Sequence, residues 1–369
     1  MASFTMIVLS LLRVIFFFST HNSPMVHAQN LTSSKNLIHK VSAVLVFGDS
    51  FFDTGNNNYI NIFSESKANH IPYGIDYPFQ IPTGRYSNGV LLPDIIASYL
   101  GLTEFIPPYL DKTKDLQTLM TGVSFASGGS GYDELSGQQM DVISCQKQLY
   151  YFKEYRTKLE LTMGYIGAQM HLENALFLVN FGTNDLSTTY FGQRITQFTV
   201  EGYQQFLLQN AMKFFQGLFD LGARTIVVAE LLPIGCTPVL RLVTGTVLSE
   251  ACLLNLLSNI SSDFNKKLQD GTNLMQLEFL KYNGRIIYAN LLQPFSDIIQ
   301  NPLKYGYESG SVACCGLGFT NVGPFCNSLS KICTDRSKFV YFDNFHPTQK
   351  TYQILFNAIR SVIDLLIIT

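Results

Sequence analysis

The sequence contains no tryptophan, and only 14% of its 369 residues are charged. Its 25 lysines and arginines nearly balance 27 aspartates and glutamates, for a formal net charge of −2. That balance carries no electrostatic footprint for nucleic acid, and no block of like charge marks a solvated tail. Several signatures are missing as well. There is no Gly-Lys dipeptide and hence no P-loop. Gly316-Leu317-Gly318 reaches Asn321 where a dinucleotide fingerprint needs its third glycine. No His-Glu-x-x-His pair occurs, and Gly128-Gly129-Ser130-Gly131 runs into Tyr132, so the Gly-x-Ser-x-Gly nucleophile elbow fails too. No Cys-x-x-Cys spacing occurs, which argues against a zinc site. These absences disfavour a zinc site, a nucleic-acid partner, and the ordinary α/β-hydrolase and dinucleotide-binding readings.

Long apolar runs are also scarce. Met6–Phe18 is apolar but too short to span a bilayer, and Arg13 interrupts it. With Val26-His27-Ala28 as a small-residue cleavage site, residues 1–28 read as a secretory signal peptide, the alternative being a membrane-anchoring helix. Residues 29–369 then form the mature chain, with no later run of membrane length and no stable membrane insertion expected. Its localisation would be secreted and extracellular. All seven cysteines lie in this part, four of them between Cys314 and Cys333, as expected of disulfides in an oxidising compartment. Asn30 and Asn259 begin glycosylation sequons, usable if the chain enters the secretory pathway.

What the sequence does have is alternation. Five short β-rich runs, Ala43–Phe47, Gly122–Phe125, Leu176–Asn180, Thr225–Ala229 and Arg285–Ala289, are apolar without clean period-two patterning, as strands covered on both faces are. Helical periodicity fills segments between and after them: Thr199–Leu221, Leu248–Leu280 and Thr348–Ile367, the last following Pro347. With no repeat and no low-complexity linker, this predicts one α/β domain over 29–369, three-layered around a parallel sheet.

Polar loops close the first three runs: Gly48-Asp49-Ser50, Ala126–Tyr132 and Phe181–Asp185. In an open α/β sheet the carboxyl ends of strands form the ligand crevice, so these loops should converge. A serine hydroxyl there needs a base, and the base needs an orienting acid. His346 in "FDNFHPT" lies three residues after Asp343, a spacing that lets the carboxylate take one ring nitrogen and leaves the other for Ser50. A developing oxyanion needs donors, which Gly129 (or Gly128), Asn184 and the Ser50 amide supply. Asp49, Asp53 and Asn56–Asn58 read as turn and cap formers, Asp185 as structural, and Arg85 as one half of a salt bridge.

Together, "FGDSFFDTGNNN", "PTGRYSNG", "GVSFASGGSGY", "FGTND", "LLPIGCTP" and "FDNFHPT" resemble the plant-type GDSL esterase/lipases of the SGNH hydrolase superfamily, in their order and over nearly the whole mature chain. The resemblance implies a flavodoxin-like α/β/α sandwich with a mostly five-stranded parallel sheet. It implies Ser50 as nucleophile, His346 as base, Asp343 as orienting acid, and Gly129 and Asn184 as oxyanion donors. The implied activity is metal-free, cofactor-free hydrolysis of a small-molecule or lipid ester. Phe342 stands where members often carry Trp, and Val90 where a basic residue is common. The alternatives are an acyltransferase using the same site and a non-catalytic binding protein. Loops Tyr59–Phe79 and Tyr305–Phe325 are the expected pocket walls. Cys236 with Cys252 is the expected pair; two bridges fall among Cys314, Cys315, Cys326 and Cys333 in unassigned order, and Cys145 is left free.

Overall fold

The computed structural model describes residues 41–63, 66–244, 252, 255–316 and 326–367, all in one compact unit, Ile38–Thr369. The expected signal peptide and the Asn30 sequon lie outside the described residues; Asn259 is exposed on a helix. The five apolar runs are strands: β1 Val44–Gly48, β2 Gly122–Ser124, β3 Leu176–Asn180, β4 Thr225–Ala229 and β5 Arg285–Ala289. They form one parallel sheet in the order β2-β1-β3-β4-β5.

Side chains alternate between two cores, which explains the continuous apolar runs. Leu45, Phe47, Phe177 and Val179 pack under helices Cys145–Glu173, Val200–Asp220 and Leu256–Phe279. Val44, Val46, Leu178 and Val227 pack under helices Leu92–Tyr99, Leu292–Gln300 and Gln349–Ile367. The result is the expected three-layer α/β/α sandwich. The strand order reverses between β1 and β3, and such a reversal opens a crevice at the carboxyl ends.

Helix boundaries follow capping chemistry. Thr199 and Asn255 accept from the amides of Gly202 and Ser258, starting their helices at Val200 and Leu256. The second start corrects the expectation of Leu248; residues 245–251 lie outside the described set. The last helix begins at Gln349, and Pro347 lies outside its first turn, in a bridge to Tyr341. Two further strands, β6 Ser309–Ala313 and β7 Phe339–Tyr341, pair in parallel as a second small sheet. Ser309, Gly310 and Ser311 gave no apolar run to announce the first of them.

The disulfides are Cys236–Cys252, Cys314–Cys333 and Cys315–Cys326, with Cys145 free and buried. Arg85 is a structural cation: its guanidinium grips Asp94 at 2.7 and 2.8 Å and also donates to the carbonyls of Thr54 and Ile106. Both partners are almost fully buried, so removing one leaves a charge without compensation. Arg85→Ala should cost about 3–5 kcal/mol, read as a lower midpoint in urea unfolding.

Candidate active site

The loop after β1 is tightly determined. Gly48 approaches β3 so closely that a Cβ would lie 2.4 Å from the Asn180 carbonyl oxygen. Its peptide is held by the buried Gln148 amide, which accepts from Gly48 N–H at 3.0 Å and donates to Gly48 C=O at 2.9 Å. The chain then turns, with the amides of Phe52 and Asp53 donating to the Asp49 carbonyl, and Ser50 is presented at the crevice.

Three residues meet there across almost 300 positions of sequence. Ser50 Oγ lies 2.7 Å from His346 Nε2. His346 Nδ1 lies 2.8 and 2.9 Å from the two oxygens of Asp343. Asp343 Oδ1 also accepts the Phe345 and His346 amides, and Oδ2 accepts the Tyr73 hydroxyl at 2.7 Å. The imidazole is therefore fixed by its own backbone, its carboxylate and the Tyr86 ring at 5.0 Å.

Environment separates the carboxyls by charge. Burial alone would raise Asp343, but the His346 charge and hydrogen bond, the Phe345 amide and the Tyr73 hydroxyl together hold it below its ordinary value. Asp49 and Asp185 are pushed up to about 7, and Asp53 to about 6, in each case chiefly by burial. Carboxyls whose environments push them apart take different roles, and Asp343 is the one kept anionic beside the imidazole. The others serve the loops. Asp49 accepts the Phe51 amide, and Asp185 accepts the amides of Tyr132 and Asp133.

Asp53 distinguishes the two candidate glycines. It accepts the amides of Gly55 and Asn56 on one oxygen and that of Gly128 on the other. The Gly128 amide is thus occupied, while those of Gly129 and Ser50 have no partner among the described residues. Gly129 has φ +93°, and a Cβ there would press Met140 at 3.2 Å. Asn184 donates one amide hydrogen to the Ser130 carbonyl, leaving the other. Asn56 and Asn57 bind carbonyls of the second loop, including Ala126 and Gly128.

Ser50, Gly129, Asn184 and His346 all line one cavity of about 340 Å³. Its walls are mainly apolar: Phe51, Met140, Val142, Leu232, Pro233, Ile234 and Phe345. This corrects the expected walls. Among the described residues of Tyr59–Phe79 only Ser66 contributes, those of Tyr305–Phe325 contribute nothing, and 64–65 and 317–325 lie outside the described residues. The "LLPIGCTP" motif was the available signal, since it follows β4 at the same sheet end. A cleft of about 400 Å³ beside Thr225 and Arg285 contains none of the candidate residues. Among the described residues, no cluster of metal-ligating side chains occurs and no helix is long and apolar enough to cross a membrane.

A family model described as GDSL-like Lipase/Acylhydrolase matches residues 44–359. The chain belongs to this family. It is a carboxylic ester hydrolase. Among its relatives, GDSL esterase/lipase At5g45960 of Arabidopsis thaliana is 44% identical over 88% of this chain and 87% of that protein. GDSL esterase/lipase At1g20120, from the same plant, is 39% identical over 85% and 77%. Among solved structures, a mutant of Axe2, an acetyl-xylooligosaccharide esterase from Geobacillus Stearmophilus, is 10% identical with a TM-score of 0.40. The match covers 87% of this chain and 94% of that one.

Because Asp343 is lowered, its ionised form stabilises the enzyme above the ordinary carboxylate range of about pH 4. That contribution is lost as pH falls through the lowered value. The stability difference between wild type and Asp343→Asn, from urea unfolding, should therefore hold steady above about pH 5 and shrink as pH falls from there through the lowered value.

Proposed function

We propose that the enzyme cleaves its ester through an acyl-enzyme on Ser50. The observation that carries this reading is the continuous line of hydrogen bonds from Asp343 through His346 to Ser50 Oγ. A neutral imidazole accepting at Nε2 takes the serine proton as Oγ attacks the carbonyl carbon. Asp343 holds the ring with its N–H at Nδ1 and stabilises the imidazolium that forms. The Gly129 and Ser50 amides, which have no partner among the described residues, and the second amide hydrogen of Asn184 are donors for the oxyanion. The imidazolium then protonates the leaving alcohol. His346 next activates water, which attacks the acyl carbon, and the carboxylic acid leaves as Oγ is reprotonated.

The apolar walls beside Ser50 favour esters with a hydrophobic acyl or alcohol group, whether small molecules or lipids. Three disulfides support folding in an oxidising compartment, in keeping with removal of residues 1–28 and secretion. An N-terminus at Gln29 in protein from the culture medium is the expected product.

The decisive experiment is intact mass after fluorophosphonate treatment. Wild type should gain one adduct, and Ser50→Ala and His346→Ala none. Absence of an adduct on folded, disulfide-bonded wild type would overturn the reading. With a soluble ester, either variant should lose about 10⁴-fold or more in kcat. Asn184→Ala should lose about 10²–10³-fold. Product analysis with and without added alcohol separates hydrolysis from acyl transfer, because both use the same acyl-enzyme.

A further inference from the structure

We infer that Tyr73 is a positioning residue for Asp343, and that the Cys315–Cys326 disulfide holds it in place; this rests on the triad reading above. Tyr73 comes from a distant loop, and its ring is buried against Phe342 at 5.5 Å and Tyr86 at 6.2 Å. Its hydroxyl donates to Asp343 Oδ2, and its ring packs in one buried cluster with Phe342, Cys315 and Cys326. Cys326 is bonded to Cys315, whose own N–H donates to the Phe342 carbonyl at 2.6 Å. The disulfide thus braces two things at once: the chain immediately before Asp343, and the ring that carries the hydroxyl on the carboxylate's second oxygen. Tyr73, Cys315 and Cys326 are not among the residues lining the cavity at Ser50; Tyr73 acts through Asp343.

The chemistry gives the role a distinct signature. A phenol donating to Oδ2 withdraws negative charge from the carboxylate and stops it from rotating. Without that donor, Oδ2 has only the imidazole, so the carboxylate holds the imidazolium more strongly and the ring aligns less well with Ser50. Among the described residues, Tyr86, from the same region of chain as Tyr73, and Tyr352, from the last helix, lie near Asp343, and Asp49 from the β1 loop lies near His346.

Tyr73→Phe keeps the ring and removes only the hydroxyl. It should lower kcat about tenfold or more, leave KM within about twofold, and move the acid limb of kcat/KM to higher pH. The double variant Cys315→Ser with Cys326→Ser should change the rate in the same direction. Combined with Tyr73→Phe, its effect should fall short of the product of the two separate losses. Melting temperature and near-UV spectra establish that each variant is folded. A folded Tyr73→Phe enzyme with unchanged kcat and pH profile overturns the inference, as does a Cys315→Ser/Cys326→Ser variant whose loss multiplies independently. Labelling by fluorophosphonate keeps the two ideas apart. A wild type that does not label removes the triad reading itself. A wild type that labels, beside a Tyr73→Phe variant labelling at the same rate and with the same pH profile, removes only the role of Tyr73.

Discussion

The hydrogen bond from the Gly128 amide to buried Asp53 organises the carboxyl end of the sheet. One carboxylate accepts amides from its own turn and from the loop after β2, so the two loops are fixed relative to each other before any substrate arrives. Asn56 and Asn57 extend the same tie to carbonyls of the second loop. Donors prepositioned around a site cost no reorganisation at the moment of reaction. Using one glycine amide internally also leaves its neighbour as the amide without a partner.

A second constraint acts from the opposite side. Asp343 and His346 are carried by the chain between β7 and the last helix, and the bridge of Pro347 to Tyr341 closes that loop on itself. Ser87 donates to the Pro347 carbonyl, and Asn88 accepts the Gln349 amide. The "TGRYSNG" stretch therefore serves two purposes: Arg85 secures the helix beginning at Leu92, while Ser87 and Asn88 hold the start of the last one. Phe342, the residue just before Asp343, is buried in the cluster formed with Tyr73, Tyr86 and four cysteines.

Much of this was legible in the residues. The strands of the main sheet were readable because both faces are covered, so each run is apolar from end to end. The Asp343–His346 pair was readable because one loop carries both residues. Gly128 and Gly129 could not be told apart, since the difference is made by Asp53, 75 residues earlier in the chain. Met140, Val142 and Ile234 as cavity walls depend on how loops fold over one another, which no local pattern encodes. Tyr73 was invisible for the same reason: its partner is 270 residues away. β6 opens on Ser-Gly-Ser and β7, though apolar, is only three residues long, so neither registered, and the pairing within the cysteine quartet needed their spatial arrangement.

The free thiol of Cys145 has a consequence for how the chain matures. In the folded protein it is 4% exposed and donates to the Tyr132 carbonyl and to Glu134. Burial first, and then that neighbouring carboxylate, raise it well above its ordinary value, so little thiolate exists to attack a disulfide. Before the helix beginning at Cys145 docks, the same sulfur is an exposed nucleophile beside six others that must pair correctly. Oxidative maturation is therefore ordered by packing: docking of that helix withdraws the odd sulfur from exchange, and bridges closed before then remain open to scrambling.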